Sequence, residues 1–374
     1  MWLFWICAIG AIYSYALYPL LLVVLVPRRR SQPLVREFQP QVTLVIACRN
    51  EEKRLEHKIE NALQLRYPRL EILVASDASD DRSDEIVRQY AARGVVLVRS
   101  PERRGKEYAQ GLAIDRASGD IIVFSDAGTD LPPESINLIV DRFRDEGVGA
   151  VSSEDQFISP DGKVVGEGVY VRYEMWLRRL ESERAGLVGL SGSFFAVRRS
   201  VLTSWNPSIP SDFACALMCH RAGLVAVSDS RVRGIYRDIK DPSKEYQRKV
   251  RTAIRGMAGL ATLRAVLNPF RFGWFAFQVA SHKLMRWLVP WFLAGVLLSS
   301  LALSLGGSRF FTAVLWLQVL TYGGILLAHF VPRLRSVGPV RIAYYFVQAN
   351  LALAQAGVLF LAGRRVVVWE PSVR

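Results

Sequence analysis

The chain has 374 residues, 51% of them hydrophobic, 11% aromatic and 22% charged, and its mean hydropathy is +0.18. Soluble globular domains carry nearer a quarter charged residues, so the apolar excess points to membrane segments, and four scattered cysteines exclude a small disulfide-stapled secreted protein. Lys and Arg outnumber Asp and Glu by 48 to 34, a net charge of +14; these basic residues gather at the ends of apolar stretches, which suits anionic lipid headgroups and argues against nucleic acid.

Residues 1–26 carry no charged side chain and are followed by Pro27 and Arg28-Arg29-Arg30. At about 1.5 Å per residue such a stretch crosses a hydrocarbon core roughly 30 Å thick. A signal peptide would carry its basic residues before the apolar stretch. Here they come after it, so residues 1–26 read as an N-terminal transmembrane anchor. By the positive-inside rule, the three arginines keep the downstream domain in the cytoplasm.

Residues 38–265 are expected to form one sizeable cytoplasmic domain. Within it, residues 42–47, 71–75, 95–98 and 120–124 are short β-branched apolar runs, the pattern of parallel strands buried on both faces. Helical patterns alternate with them. Leu55, Ile59, Ala62 and Leu63 share one face, and Ile136, Ile139, Val140 and Phe143 share another, with Pro133 in the first turn. The order β-α-β-α-β-α-β predicts a doubly wound, Rossmann-like α/β sheet with ligands at the carboxyl ends of the strands. Glu174 and Glu181, on one face of a helical pattern beside Arg178, read as solvated ion pairs.

Residues 268–286 include Phe270, Phe272, Trp274, Phe275 and Phe277 beside Arg271 and Lys283, an aromatic and basic mixture expected to lie on the headgroups. Residues 287–362 hold three further apolar segments, 287–306, 310–331 and 342–362, and a basic tail comes last at 363–374. Four full spans would place Arg364 and Arg365 outside, against the positive-inside rule, so whether the last segment spans stays open. Asn350 and Gln355 within it are expected to face other helices.

Polar groups come directly after three of the strands: Cys48-Arg49-Asn50-Glu51-Glu52, Ser76-Asp77-Ala78-Ser79-Asp80-Asp81 and Ser125-Asp126-Ala127-Gly128-Thr129-Asp130. Any one of them is explained by helix capping. Three at one edge of a sheet are not, and Asp77 and Asp126, each immediately past a strand, read as functional. No Gly-x-Gly-x-x-Gly or Walker-type loop is present. An acidic pocket still accepts hydrogen bonds from a base or ribose, and a carboxylate can hold a divalent cation on a pyrophosphate. Lys106, next to Gly105 at the start of a helix, offers positive charge to a phosphate.

With these residues in place, the chain resembles a membrane-anchored family 2 glycosyltransferase of the inverting GT-A fold. Asn50-Glu51 matches the family's opening motif, Ser76-Asp77-Ala78-Ser79 its nucleotide-binding Asp loop, and Gly105-Lys106 the Gly-Lys before its second helix. The Asp-x-Asp metal motif falls on Asp126-Ala127-Gly128. The loop Ser191-Gly192-Ser193 matches its acceptor loop, and Ser211-Asp212-Phe213 the element carrying its base. Arg248-Lys249-Val250-Arg251 matches its Gln/Arg-x-x-Arg-Trp element, with Thr252 in place of Trp.

The resemblance implies donor binding by Asn50, Glu51, Asp77, Lys106, Arg248 and Arg251, acceptor binding by Gly192 and Ser193, a divalent cation (Mg²⁺ or Mn²⁺) on Asp126, and Asp212 as general base. Gly128 departs from the metal motif by removing its second carboxylate. The expected protein is an integral protein of the cell (inner) membrane that moves a sugar from a cytosolic nucleotide-sugar donor to a lipid-linked or polysaccharide acceptor, in contact with membrane lipids and possible partner membrane proteins. A processive synthase is one alternative, weakened by Thr252 and by only three C-terminal segments. A catalytically silent GT-A scaffold, suggested by Gly128, is another.

Overall fold

Strand β1 (Val42–Cys48) is an interior strand of the sheet, with Val42, Leu44, Val45 and Ile46 wholly buried. In this computed structural model, which describes residues 1–158, 169–237 and 242–365, β1 pairs in parallel with β2 (Leu70–Ser76) and with β4 (Ile121–Asp126), and β2 pairs in parallel with β3 (Val95–Arg99). The β1 register sets Ala47 opposite both Ala75 and Asp126. Strands β1, β2 and β4 therefore end at one edge. Helices α3 (Leu55–Leu63), α4 (Ser83–Gln89) and α5 (Lys106–Arg116) join the four strands in chain order, after α1 (Trp2–Ile12) and α2 (Tyr18–Leu25) at the N-terminus.

The doubly wound pattern stops after β4. The full order is β3-β2-β1-β4-β7-β6-β8-β5, where β5 is Thr129–Asp130, β6 Val148–Ile158, β7 Phe194–Arg198 and β8 Val225–Arg237. Strand β7 runs antiparallel to both β4 and β6, making the sheet mixed. Helix α6 (Ser135–Arg142) covers it with Ile136, Ile139 and Val140 buried beside Phe143, and α3 does so with Leu55, Ile59 and Ala62. Helix α7 (Val169–Ser182) comes after β6 and α8 (Ser211–Arg221) after β7. Glu181 on α7 is wholly buried and is not the solvated ion pair that its helical face suggests.

The remaining helices are α9 (Pro242–Thr262), α10 (Pro269–Val279), α11 (Met285–Leu305), α12 (Arg309–Phe330) and α13 (Gly338–Leu361). The chain divides into two compact units. One holds Met1–Leu21, α9 as far as Met257 and Val279–Arg365; the other runs from Leu22 through β8 and adds Ala258–Gln278. Four helices are long and apolar enough to cross a membrane: Trp2–Leu25, Pro269–Leu305, Arg309–Phe330 and Gly338–Leu361. The boundary drawn at 286/287 between an interfacial segment and a first C-terminal span falls inside the second of these, whose helix is broken at Gly273 (φ 51°). Within the first unit several polar groups on the apolar helices have hydrogen-bond partners. Gln318 donates to Ser300 Oγ at 3.0 Å, Tyr246 donates to Gln355 Oε1 at 3.0 Å, and Asn350 is buried and donates to Phe346 O. Residues 366–374 of the expected basic tail lie outside the described residues.

Candidate active site

A cleft opens at the carboxyl edge of β1, β2 and β4, lined by Glu51, Asp77, Lys106, Asp126 and Gly128 with Arg49 and Arg54. Four of the residues singled out in the sequence therefore converge there: Glu51, Asp77, Lys106 and Asp126. The cause is the parallel register, which ends β1, β2 and β4 level with one another.

Asp77 is nearly inaccessible, and its two carboxylate oxygens receive the backbone N–H groups of Arg104 and Gly105 at 2.9–3.0 Å. Gly105 sits at φ 99°, a conformation that a side chain would strain, and it caps α5 immediately before Lys106. Asp77 thus shapes the turn that aims Lys106 into the cleft. Asn50 braces the same edge from β1 and does not line the cleft. Its backbone is left-handed (φ 53°), its N–H donates to Ser79 Oγ, and its Oδ1 accepts the Asp80 N–H at 3.1 Å. Ala78 is left-handed as well (φ 50°), and Arg49 donates to the Asp77 and Ala78 carbonyls and to Asp80. Left-handed backbone at non-glycine residues costs about 1–2 kcal/mol each. The surrounding hydrogen bonds hold both in place.

Lys106 Nζ donates to Asp126 Oδ1 at 2.5 Å and to Gly192 O at 3.0 Å. Burial pulls its ammonium down, but Asp126, with Glu107 and Asp212 behind it, outweighs that and holds the lysine above its ordinary value. Gly192 joins the cleft to Asp212, since a Cβ on Gly192 would stand 3.0 Å from Asp212 Oδ2. Asp212 lies in the first turn of α8. It does not cap the helix: Pro210 holds that position, and the Asp212 carboxylate accepts only the Phe213 N–H at 2.9 Å among the described hydrogen bonds. Ser193 and Ser191 donate their hydroxyls to Asp155 Oδ1 at 2.9 and 2.6 Å. Burial pushes the Asp155 carboxyl up, and Asp126 adds to this against the two serine bonds and Arg178. Arg248 and Arg251 lie on α9 in the other compact unit, so their role rests on the motif alone.

Two residues at this edge owe their part to the fold. Lys58 is wholly buried and donates to Ser125 Oγ at 2.8 Å and to the Thr129 carbonyl. Burial lowers its pKa to about 7, with Asp130 and Asp126 pulling the other way. Its sequence signal was its place on the apolar face of Leu55, Ile59 and Ala62, three residues after Leu55. Asp155 carried no such signal, because its partners are 36 and 38 residues away. Cys7, Cys48, Cys215 and Cys219 are all free and buried, in keeping with a packing role for the last two.

The donor set around Asp126 does not fit a divalent ion. Gly128 supplies no ligand, Asp130 is engaged by His57 Nε2 at 2.9 Å, and the one remaining carboxylate is bonded to an ammonium. Among the described residues, no three His, Cys, Asp or Glu side chains stand together as a metal site.

Comparison with known proteins adds to this geometry. Residues 43–204 match the family model for glycosyl transferase family 2. Poly-beta-1,6-N-acetyl-D-glucosamine synthase of Staphylococcus aureus (strain COL) is 26% identical over 191 residues, 49% of this chain and 46% of that protein. Probable glycosyltransferase YdaM of Bacillus subtilis (strain 168) is 27% identical over 176 residues, 44% and 41% of the two chains. The matched part thus spans less than half the length of either relative. Among solved structures, the mannosyltransferase PcManGT from Pyrobaculum calidifontis, in complex with GDP-Man and Mn²⁺, superposes with a TM-score of 0.72 over 97% of this chain and 99% of that one, at 22% identity. At that identity the likeness speaks for the fold. With a mixed sheet of GT-A type bearing its acidic cleft at the strand ends, residues 43–204 of this chain are a region of the glycosyl transferase family 2 type.

Proposed function

We propose that the chain is an inverting glycosyltransferase of the cell membrane, taking a sugar from a cytosolic nucleotide-sugar and passing it to a lipid-linked or polysaccharide acceptor. The observation that carries this reading is the convergence of Glu51, Asp77, Lys106 and Asp126 in one cleft at the carboxyl edge of the sheet. The names of the relatives, a polysaccharide synthase and a glycosyltransferase, support it. The four apolar helices support a membrane setting, and Arg28-Arg29-Arg30 after the first of them supports a cytoplasmic domain.

In this reading the nucleoside lies toward Asp77 and Glu51 and the diphosphate toward Lys106, with Arg248 and Arg251 as further diphosphate ligands. The acceptor hydroxyl approaches over Gly192 and Ser193. Asp212 takes its proton as oxygen attacks the anomeric carbon, and the bond to the nucleoside diphosphate breaks on the opposite face. The leaving diphosphate gains negative charge in that step, and fixed cations lower its cost most when they are already in place. No step is assigned to a divalent ion, because the residues around Asp126 do not fit one.

Incubating the purified protein with a panel of nucleotide-sugars tests this. One donor is expected to release nucleoside diphosphate when acceptor lipid is present, and no release from any donor would reject the enzyme in favour of a silent scaffold. A processive synthase is the second reading, favoured by the name of the Staphylococcus relative. A ladder of products from a single donor would establish it over single transfer.

A further inference from the structure

The carboxylate that matches the family's metal motif, Asp126, is bonded here to a lysine. Lys106 Nζ lies 2.5 Å from Asp126 Oδ1 and 3.0 Å from Gly192 O. An ammonium has three N–H donors; these two acceptors leave one for a phosphate oxygen. Gly128, where a second carboxylate would stand, is not among the glycines with positive φ, so no backbone need accounts for the missing side chain. Below the loop, the wholly buried Lys58 bonds Ser125 and the Thr129 carbonyl. Two lysines from α3 and α5 thus flank a segment with one available carboxylate. A divalent ion on that carboxylate would sit beside a like-charged ammonium, which Coulomb repulsion disfavours in a partly buried place.

The geometry points to a donor site in which the Lys106 ammonium replaces the divalent cation, so that nucleoside diphosphate binds without metal. This rests on the donor reading above. Asp126 then orients Lys106 and keeps it charged, and is not a metal ligand. Lys58 holds the Ser125–Thr129 turn in the shape that allows this.

Calorimetry on the detergent-solubilised full chain tests the proposal, with UDP, GDP, CDP, ADP and dTDP each titrated in EDTA and in excess Mn²⁺. One nucleotide is expected to bind with dissociation constants equal within about threefold in the two buffers. Lys106→Met is expected to weaken that binding about ten- to a hundredfold in EDTA, and Lys106→Met with Gly128→Asp to bind only with Mn²⁺. Binding by the unaltered protein that is more than about tenfold tighter with Mn²⁺ would overturn the proposal and leave the donor site standing. Failure of all five nucleotides in both buffers would overturn the donor site, and the proposal with it. The comparison on unaltered protein decides the matter even if the variants do not fold.

Discussion

Gly192 approaches Asp212 so closely that a Cβ at position 192 would stand 3.0 Å from Asp212 Oδ2. The same glycine's carbonyl accepts from Lys106 at 3.0 Å, and the Leu190 N–H donates to the Asp212 carbonyl at 3.1 Å. One loop therefore touches both the proposed donor cation and the proposed base. Gly192→Ala is expected to push the Asp212 carboxylate aside and slow sugar transfer by roughly tenfold or more, since displacements on the order of 1 Å at a reacting group carry such costs. Calorimetric nucleotide binding should change little. Undiminished transfer would separate Asp212 from the reaction.

Asp212→Asn keeps the size of the side chain and an oxygen for the Phe213 N–H, but the amide takes no proton. A folded, membrane-inserted protein that binds nucleotide normally and turns over about 10²- to 10⁴-fold more slowly is expected. A variant retaining more than about a tenth of the rate would move the base elsewhere, with Asp155 and Glu154 next to be tested.

Asp77 has both a structural and a proposed binding role, and Asp77→Ala tests them together. It leaves the buried Gly105 N–H and the part-buried Arg104 N–H without their acceptor, a loss of about 1–3 kcal/mol. Thermal unfolding should report the lower stability and calorimetry a weaker nucleotide. Asp77→Asn, whose Oδ1 can still accept both N–H groups, should recover much of the stability but not the binding.

His220 on α8 stacks on Phe275 with ring centroids 3.4 Å apart. Burial depresses its pKa from 6.5 to about 3, against a hydrogen bond with the Ala185 backbone. Below pH 6.5 the unfolded chain takes up a proton that the folded one refuses, so this contribution is full above pH 6.5 and lost as pH falls toward 3. Between pH 7 and 5 the loss amounts to at most about 2 kcal/mol. The melting temperature of His220→Phe should fall less over that interval than that of the unaltered protein; parallel curves would refute the assignment.

The positive-inside rule predicts sidedness from Arg28-Arg29-Arg30, which come after the first apolar helix. In sealed vesicles, protease is expected to cut residues 38–265 only when the cytoplasmic face is outward. Cleavage from the other face would reverse the topology and remove the cytosolic donor.

Much of the architecture was legible in order. The uncharged stretch before Arg28 and the β-branched runs that became β1 to β4 announce themselves because burial is periodic along the chain and repeats within a few residues. So do the acidic residues just past β2 and β4, since a parallel register places strand ends together whatever lies between them. The part of the sheet beyond β4 was not legible. Strand β7 enters antiparallel between β4 and β6, a pairing set by contacts more than forty residues apart, and β5 is two residues long. Nor does any local pattern reveal that Lys106 would take Asp126, that Lys58 would lie under the same turn, or that Ser191 and Ser193 would close on Asp155. Residue type and spacing declare which groups are available for chemistry. Only the folded chain decides which charges meet, because a buried ammonium and a carboxylate pair by distance in space, with no term for distance in sequence.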